Sequence, residues 1–174
     1  YGGGIAADGG SEPLVVECEI LNCQAIGGAG GNGGNAADDT DGDGGSGGDA
    51  GAVSGGGVYY ASGASAVLRD TNIHDNATVG ADGGDAGAEA GGAESTEGSD
   101  SVVKGAGFYA GMGAGSALLE RCDLSSNTGE GVGGGGFFDV ASGTTAELRD
   151  SDVADNNTTD RGAGLYFEHG GTAK

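Results

Sequence analysis

Short apolar stretches alternate with polar ones along this chain, and the alternation returns in the same form. The stretches read Val15-Val16-Glu17-Cys18-Glu19-Ile20, Leu68-Arg69-Asp70-Thr71-Asn72-Ile73, Leu119-Glu120-Arg121-Cys122-Asp123-Leu124 and Leu148-Arg149-Asp150-Ser151-Asp152-Val153. In each, an apolar column, a small column and a second apolar column are separated by charged or polar residues. Near its end the stretch approaches period 2, which predicts a strand with one buried face. Three residues further on stand Cys23, Asn76, Asn127 and Asn156. Each stretch is preceded by a glycine run that opens onto apolar residues, as in Gly57-Val58-Tyr59, Gly107-Phe108-Tyr109 and Gly136-Phe137-Phe138. No stretch keeps a 3.6-residue apolar period over three turns, so a helical reading fails.

With the last glycine of each run as anchor (Gly4, Gly57, Gly107, Gly136, Gly164), the steps are 53, 50, 29 and 28 residues. The short steps give the unit, and the long ones are the same unit with residues 27–54 and 80–103 inserted. Self-similarity at such a period signals a stacked repeat, because one unit cannot bury its apolar face alone. The predicted fold class is therefore all-β: a single-stranded parallel β-helix, or β-solenoid, forming one domain over residues 1–174. It would have about four and a half coils of ~28 residues and two Gly/Asp-rich loop insertions. Stacking turns columns into ladders. Ile20, Ile73, Leu124 and Val153 form one aliphatic column, and Ile5, Val58, Phe108, Phe137 and Leu165 a second. Asn76, Asn127 and Asn156 form a structural ladder whose amides satisfy buried backbone groups.

These phrases resemble the repeats of right-handed parallel β-helix surface proteins, especially polymorphic outer-membrane proteins and autotransporter passengers. That family carries a Gly-Gly-Ala-Ile motif and a Phe-x-x-Asn motif once per coil. The matching phrases are Gly56-Gly57-Val58 with Ile73-His74-Asp75-Asn76, and Gly135-Gly136-Phe137 with Val153-Ala154-Asp155-Asn156. The aromatic of Phe-x-x-Asn is aliphatic here. The resemblance implies right-handedness, an extracellular or cell-surface location and an adhesive or structural role.

Charge narrows the function classes. With 6 Lys+Arg against 27 Asp+Glu the formal net charge is -21, which argues against nucleic-acid binding and against adsorption to anionic membranes. No apolar run is long enough to span a bilayer, so no membrane insertion is expected. Gly is 44 of the 174 residues, a composition that alone would suggest low complexity; the repeat overrides it. The three cysteines make no disulfide framework, although Cys18 and Cys23 are close enough in sequence to bridge.

The two insertions carry eleven acidic residues and no basic one. Asp39-x-Asp41-x-Asp43-Gly44 places alternate oxygen ligands before a turn glycine, as a Ca2+ loop does. The twelfth position is Ala50, with Asp49 beside it as a poor substitute for the usual Glu. Three readings stand side by side: a calcium site of Asp39, Asp41, Asp43 and Asp49; a flexible acidic loop; and extended polyglycine strands of the two insertions packed together.

Chemistry has fewer candidates. Glu17, Asp70 and Asp150 share a column with Arg121, which fits cross-rung ion pairs on an exposed face. His74 and His169 fall in different parts of the coil. No catalytic residue is assigned. Of the glycosylation sequons, Asn76-Ala77-Thr78 and Asn156-Asn157-Thr158 start in the ladder column, which leaves Asn157 as the acceptor. The half-coil Gly162 to Lys174 repeats the phase of Tyr1 to Leu14. That predicts a homo-oligomer stacked head to tail into a filament, or neighbouring coils of a longer chain. The expected function is a non-catalytic extracellular structural or adhesive β-solenoid. The alternative is a carbohydrate-binding or polysaccharide-degrading β-helix protein.

Overall fold

The computed structural model describes residues 2–36, 43–61, 63–89, 94–111, 113–139, 144–168 and 172–173. Among them the chain is all-β, without a helix. The chain passes repeatedly through the same series of strands. The first pass is β1 (Ile5–Ala7), β2 (Leu14–Val16), β3 (Glu19–Leu21) and β4 (Gln24–Ile26). The second is β5 (Val53–Ser54), β6 (Val58–Tyr60), β7 (Ala66–Arg69), β8 (Asn72–His74) and β9 (Ala77–Val79). The third is β10 (Val103–Lys104), β11 (Phe108–Ala110), β12 (Ala117–Glu120), β13 (Asp123–Ser125) and β14 (Thr128–Gly129). Then follow β15 (Gly136–Asp139), β16 (Thr145–Arg149), β17 (Asp152–Ala154), β18 (Asn157–Thr158), β19 (Leu165–Glu168) and β20 (Thr172–Ala173).

Equivalent strands of successive passes pair in parallel. The sheets run β1-β6-β11-β15-β19, β2-β7-β12-β16-β20, β3-β8-β13-β17 and β4-β9-β14-β18, an arrangement compatible with a β-solenoid. Register puts like over like. Val15, Leu68, Leu119 and Leu148 form one column, and Ile20, Ile73, Leu124 and Val153 another. Leu68, Ile73, Leu119 and Leu124 are fully buried, each contributing roughly 1.5–3 kcal/mol over an exposed position.

Two sharp corners per pass turn the chain between these strands. At the first, Glu17, Asp70, Arg121 and Asp150 have φ of 47–52°; at the second, Asn22, Asp75, Ser126 and Asp155 have φ of 53–55°. The left-handed region disfavours most side chains, and Asn and Asp tolerate it best because they hydrogen-bond locally. The residue after each corner turns inward, which is why Thr71, Asn76, Cys122 and Asn127 are buried.

One expected column is corrected. Phe108 lies over Gly136, not Phe137, and Phe137 pairs with Tyr109 and Tyr166. The exchange is one of volume. A Cβ on Gly136 would lie 3.0 Å from the Phe138 ring and 3.2 Å from Leu165 Cδ2. The Phe108 and Phe138 rings meet with centroids 5.2 Å apart. Where one pass carries Phe108 and Ala110, the next carries Gly136 and Phe138, so the aromatic bulk moves two positions while the core volume is kept.

The chain divides into two compact units. One comprises Tyr1–Ala25, Ser54–Val79 and Val103–Lys174; the other comprises Ile26–Val53 and Gly80–Val102. The first holds the sheet core described above. The second is built differently.

Candidate functional site

In the first unit the inward corner column is a continuous hydrogen-bonded ladder. Asn127 Nδ2 donates to the carbonyl of Ile73 at 2.8 Å and to Asn156 Oδ1 at 3.0 Å. Its own Oδ1 accepts the backbone N–H of Asn76 at 3.1 Å and Asn76 Nδ2 at 3.0 Å. Asn76 repeats the pattern, donating to Ile20 O at 2.9 Å and accepting from Cys23 N at 3.0 Å. Asn156 Nδ2 reaches Leu124 O at 2.6 Å. Each amide therefore satisfies backbone groups of the preceding pass that lie away from water, where an unmade hydrogen bond is costly. The small column behaves alike: Cys122 N donates to Ser151 Oγ at 3.0 Å and Cys18 N to Thr71 Oγ1 at 3.4 Å. Cys18, Cys23 and Cys122 are free thiols, and burial pushes the Cys122 thiol up.

The outward column of the first sheet is aromatic. Tyr59, Tyr109, Phe137 and Tyr166 stack with successive centroids 5.2, 5.3 and 5.6 Å apart. Lys104 Nζ lies 4.4 Å from the Phe137 centroid and 2.9 Å from Glu168 Oε2. These rings stack face to face along the ladder, and Phe137 within it is fully buried.

Among the described residues, the basic groups of this unit are engaged in ion pairs. Arg121 grips Asp70 through two bonds of 2.7 and 2.8 Å, and this holds the Asp70 carboxyl below its ordinary value. Arg149 is bonded to Glu147 and Arg69 to Glu120. His74 lies between Asp75 (2.7 Å) and Glu19 (3.0 Å), and those carboxylates, Asp75 foremost, raise its pKa. Of the acids that share the corner column with Arg121, Asp70 forms a cross-rung ion pair with it. Ser65, Ser116, Val67 and Leu118 line a shallow groove on the second sheet, with Glu12 and Glu147 at its margin. His169 lies outside the described residues.

Glycine organises the second unit. Residues 28–36, 43–53, 80–89 and 94–102 run extended without forming β-ladders over most of their length. Gly30, Gly33 and Ala36 donate N–H to the carbonyls of Asp82, Asp85 and Ala88 at 3.0, 2.8 and 2.8 Å. Gly45, Gly48 and Gly51 donate to Gly34, Gly31 and Gly28 at 2.7, 2.8 and 2.8 Å. Gly47, Ala50 and Val53 donate to Thr96, Ser99 and Val102, and Gly84 and Gly87 to Gly48 and Gly45. Every series advances by three residues, the period of a polyproline-II helix, which has no internal hydrogen bonds and must find partners sideways. The first two segments run antiparallel to each other; 28–36 runs parallel to 80–89, and 43–53 parallel to 94–102. A Cβ on Gly30 would collide with the carbonyl of Gly48, one on Gly33 with that of Gly45, and one on Gly84 with that of Gly31. Only glycine lets these backbones approach so closely.

Side chains from this unit's outer columns tie the segments together. Asn32 Oδ1 accepts from Asp85 N at 3.1 Å and Asn35 Oδ1 from Ala88 N at 3.0 Å. Asp49 Oδ1 accepts from Ser99 N at 2.8 Å, which holds its carboxyl below the usual value. Of the expected calcium ligands, Asp43 and Asp49 are both on the segment 43–53. Asp49 is used as this bridge, while Asp39 and Asp41 lie outside the described residues. Among the described residues no three His, Cys, Asp or Glu side chains gather as a metal site would require. The expected glycan acceptor Asn157 is exposed on β18, and the hydroxyl of Thr159 in its sequon donates to Glu130 O at 2.5 Å.

Reading the strands missed two features. The left-handed corners were signalled by an Asp or Asn just before the inward column at five of the eight corner residues, Glu17, Arg121 and Ser126 being the others. The three-residue helices were signalled by glycine recurring at 27/30/33, 28/31/34 and 45/48/51. Compared with family models, with curated proteins and with solved structures, the chain matches none.

Proposed function

We propose that the chain is a β-solenoid of about four and a half coils of ~28 residues, with residues 27–54 and 80–103 inserted, serving as a non-catalytic extracellular structural or adhesive protein. One observation carries this reading: four columns of like residues stand in parallel register, sealed by the Asn76–Asn127–Asn156 ladder. Such an array is extended by adding strands to its edges. Its partners are a second copy stacked head to tail, or neighbouring coils of a longer chain. Leu14, Val16 and Leu21 on the first pass are 61%, 40% and 39% exposed, and Phe167 on β19 is 40% exposed; a further rung would cover them. The net charge of -21 supports a surface that stays soluble.

Electron microscopy of the purified chain tests the reading. Head-to-tail stacking gives particles that lengthen with concentration, with an axial rise near a whole multiple of ~4.8 Å. Short particles of fixed length that cleave a polysaccharide would overturn it in favour of the enzyme.

A further inference from the structure

The Asn ladder has a direction, and one of its ends is open. Each amide serves the pass before it. Asn76 accepts from Cys23 N and donates to Ile20 O, Asn127 does the same for Asn76 and Ile73, and Asn156 for Asn127 and Leu124. The groups that a following amide would serve are therefore Asn156 N and Val153 O. Among the described residues, no acceptor receives Asn156 N and no side-chain amide reaches Val153 O.

A second observation is independent of the ladder. β17 and β18 are edge strands of four-stranded sheets, whereas the sheets that end in β19 and β20 have five strands. So β19 and β20 have no counterpart over β17 and β18, and the apolar column there is uncovered. Val153 and Asn156 are half-buried, while Ile73, Leu124, Asn76 and Asn127 in the same columns are buried. The opposite edge differs. Val15 and Ile20 are buried although no strand pairs beneath them, and Cys23 turns its thiol to Leu21 O of its own pass.

The ladder selects the occupant. A second copy stacked head to tail would bring its first pass, and with it Cys23, to the ladder column. The single sulfur of a thiol is a weak acceptor and carries one weak donor, so it does not replace the oxygen and the NH2 of an amide. Seated on β19 by its β1, that copy would also hold its β3 and β4 one strand spacing too far from β17 and β18, because β1 to β4 form a single pass. Its own Asn76, Asn127 and Asn156 amides are already spent. We propose that the edge of β17 and β18 is a strand-addition site for a further coil that carries an inward Asn, and that a second copy's first pass does not occupy it. The ladder amide is the recognising group, because Asn156 N and Val153 O left unmade beneath a covering strand are costly. This assignment rests on the solenoid reading and chooses between the two partners it allows.

Amide exchange followed by NMR tests it, on the intact chain alone and on the chain lengthened after Lys174 by a repeat of its residues 148–160. Thr172 and Ala173 pair with Thr145 and Ala146, so the added segment follows in register, at the high effective concentration of a tether. A second lengthened chain carries Asn156→Cys in the added segment only, which copies the first pass. The original Asn156 N–H should exchange freely in the chain alone at every concentration. The Asn-bearing segment should slow it about tenfold or more, and the Cys-bearing segment should not. Equal slowing by both segments, or none by either, overturns the proposal. So does slowing in the chain alone that grows with concentration, which would put a second copy on this edge. If Asn76 and Asn127 lack protection in all three chains, the solenoid reading itself falls and takes this assignment with it.

Discussion

The two units solve one problem in two ways. Both must pair backbone that has few large side chains to bury. The β-strand unit uses parallel ladders, with side chains filling the space between sheets, so that Leu68, Leu119 and the Phe108–Phe138 pair exclude water. In the glycine unit there is almost no side chain to bury. Its segments come so close that backbone meets backbone, and stability comes from sideways hydrogen bonds and dispersion between main chains. The β-strand unit should tolerate exchanges that conserve volume, as it already does between Phe108/Ala110 and Gly136/Phe138. At its inner glycines the second unit should tolerate nothing. Stability by side chain is adjustable; stability by absence of side chain is not.

The largest expected effect tests that contrast. Gly84→Val should cost about 4 kcal/mol or more within the glycine unit, because the carbonyl of Gly31 that its Cβ would strike belongs to backbone hydrogen-bonded on both sides. Amide exchange should show protection lost at Gly30, Gly33 and Gly48 while Leu119 and Leu124 keep theirs. If protection falls equally in both units, they are one cooperative structure and the contrast is mistaken.

Next in size is the ladder. Asn127→Ala removes the acceptor for Asn76 N and the donor to Ile73 O inside the β-strand unit, and should cost about 3 kcal/mol. Asn127→Asp keeps the shape but loses the amide donors and buries a charge, so it should not rescue. Denaturant unfolding of both variants gives the measurement. A loss below ~1 kcal/mol for Asn127→Ala would mean that water replaces the amide and that the ladder is not what seals the strands.

The β-strand unit was far more legible than the glycine unit, for a physical reason. Strand columns are written in side chains. The Leu/Val, Cys/Thr/Ser, Ile/Leu/Val and Asn positions each have a distinct chemistry, and their spacing survives because a slip of one residue would turn every side chain to the other face. The same argument explains the error at Phe137. Gly135 and Gly136 are interchangeable as anchors, so the glycine run could not fix its own register; the placement of Phe138 does. The corners were readable only as polar residues, since φ is not written in the residue type when Arg121 and Asp70 adopt the same conformation. The glycine unit is written in what is missing. Gly30 and Gly31 are the same letter, yet a Cβ on one collides with backbone and a Cβ on the other meets open space. The three-residue period was visible, but which third of the glycines faces inward depends on partners fifty residues away. The Asp39/Asp41/Asp43 run drew attention to a calcium loop, whereas Asp49 bonds to a neighbouring segment.

The smallest expected effect belongs to pH, and only the β-strand unit should feel it near neutrality. His74 on β8 is held by Asp75 and by Glu19 of β3, which raise its pKa above the ordinary 6.5. Its other close charged neighbour by register is Asp123 on β13, diagonal to it, with the neutral Ser125 directly alongside. A raised pKa in the folded state means that folding binds the proton. The stabilisation is therefore complete below pH ~6.5 and fades as pH rises through the folded value. The group is near the surface, so the gain is small and screened by salt. Proton NMR should find His74 titrating above 6.5. The melting temperature should fall slightly from pH 6 to pH 8 at low salt, and His74→Gln should abolish that slope. The glycine unit has no His, Lys or Arg among its residues, so its amide protection should stay flat over the same range once intrinsic exchange is corrected for. A His74 pKa at or below 6.5 would show that Glu19 and Asp75 do not hold the ring in solution. A pH slope unchanged by His74→Gln would place its origin elsewhere, and the difference in pH response between the units would then have lost its physical basis.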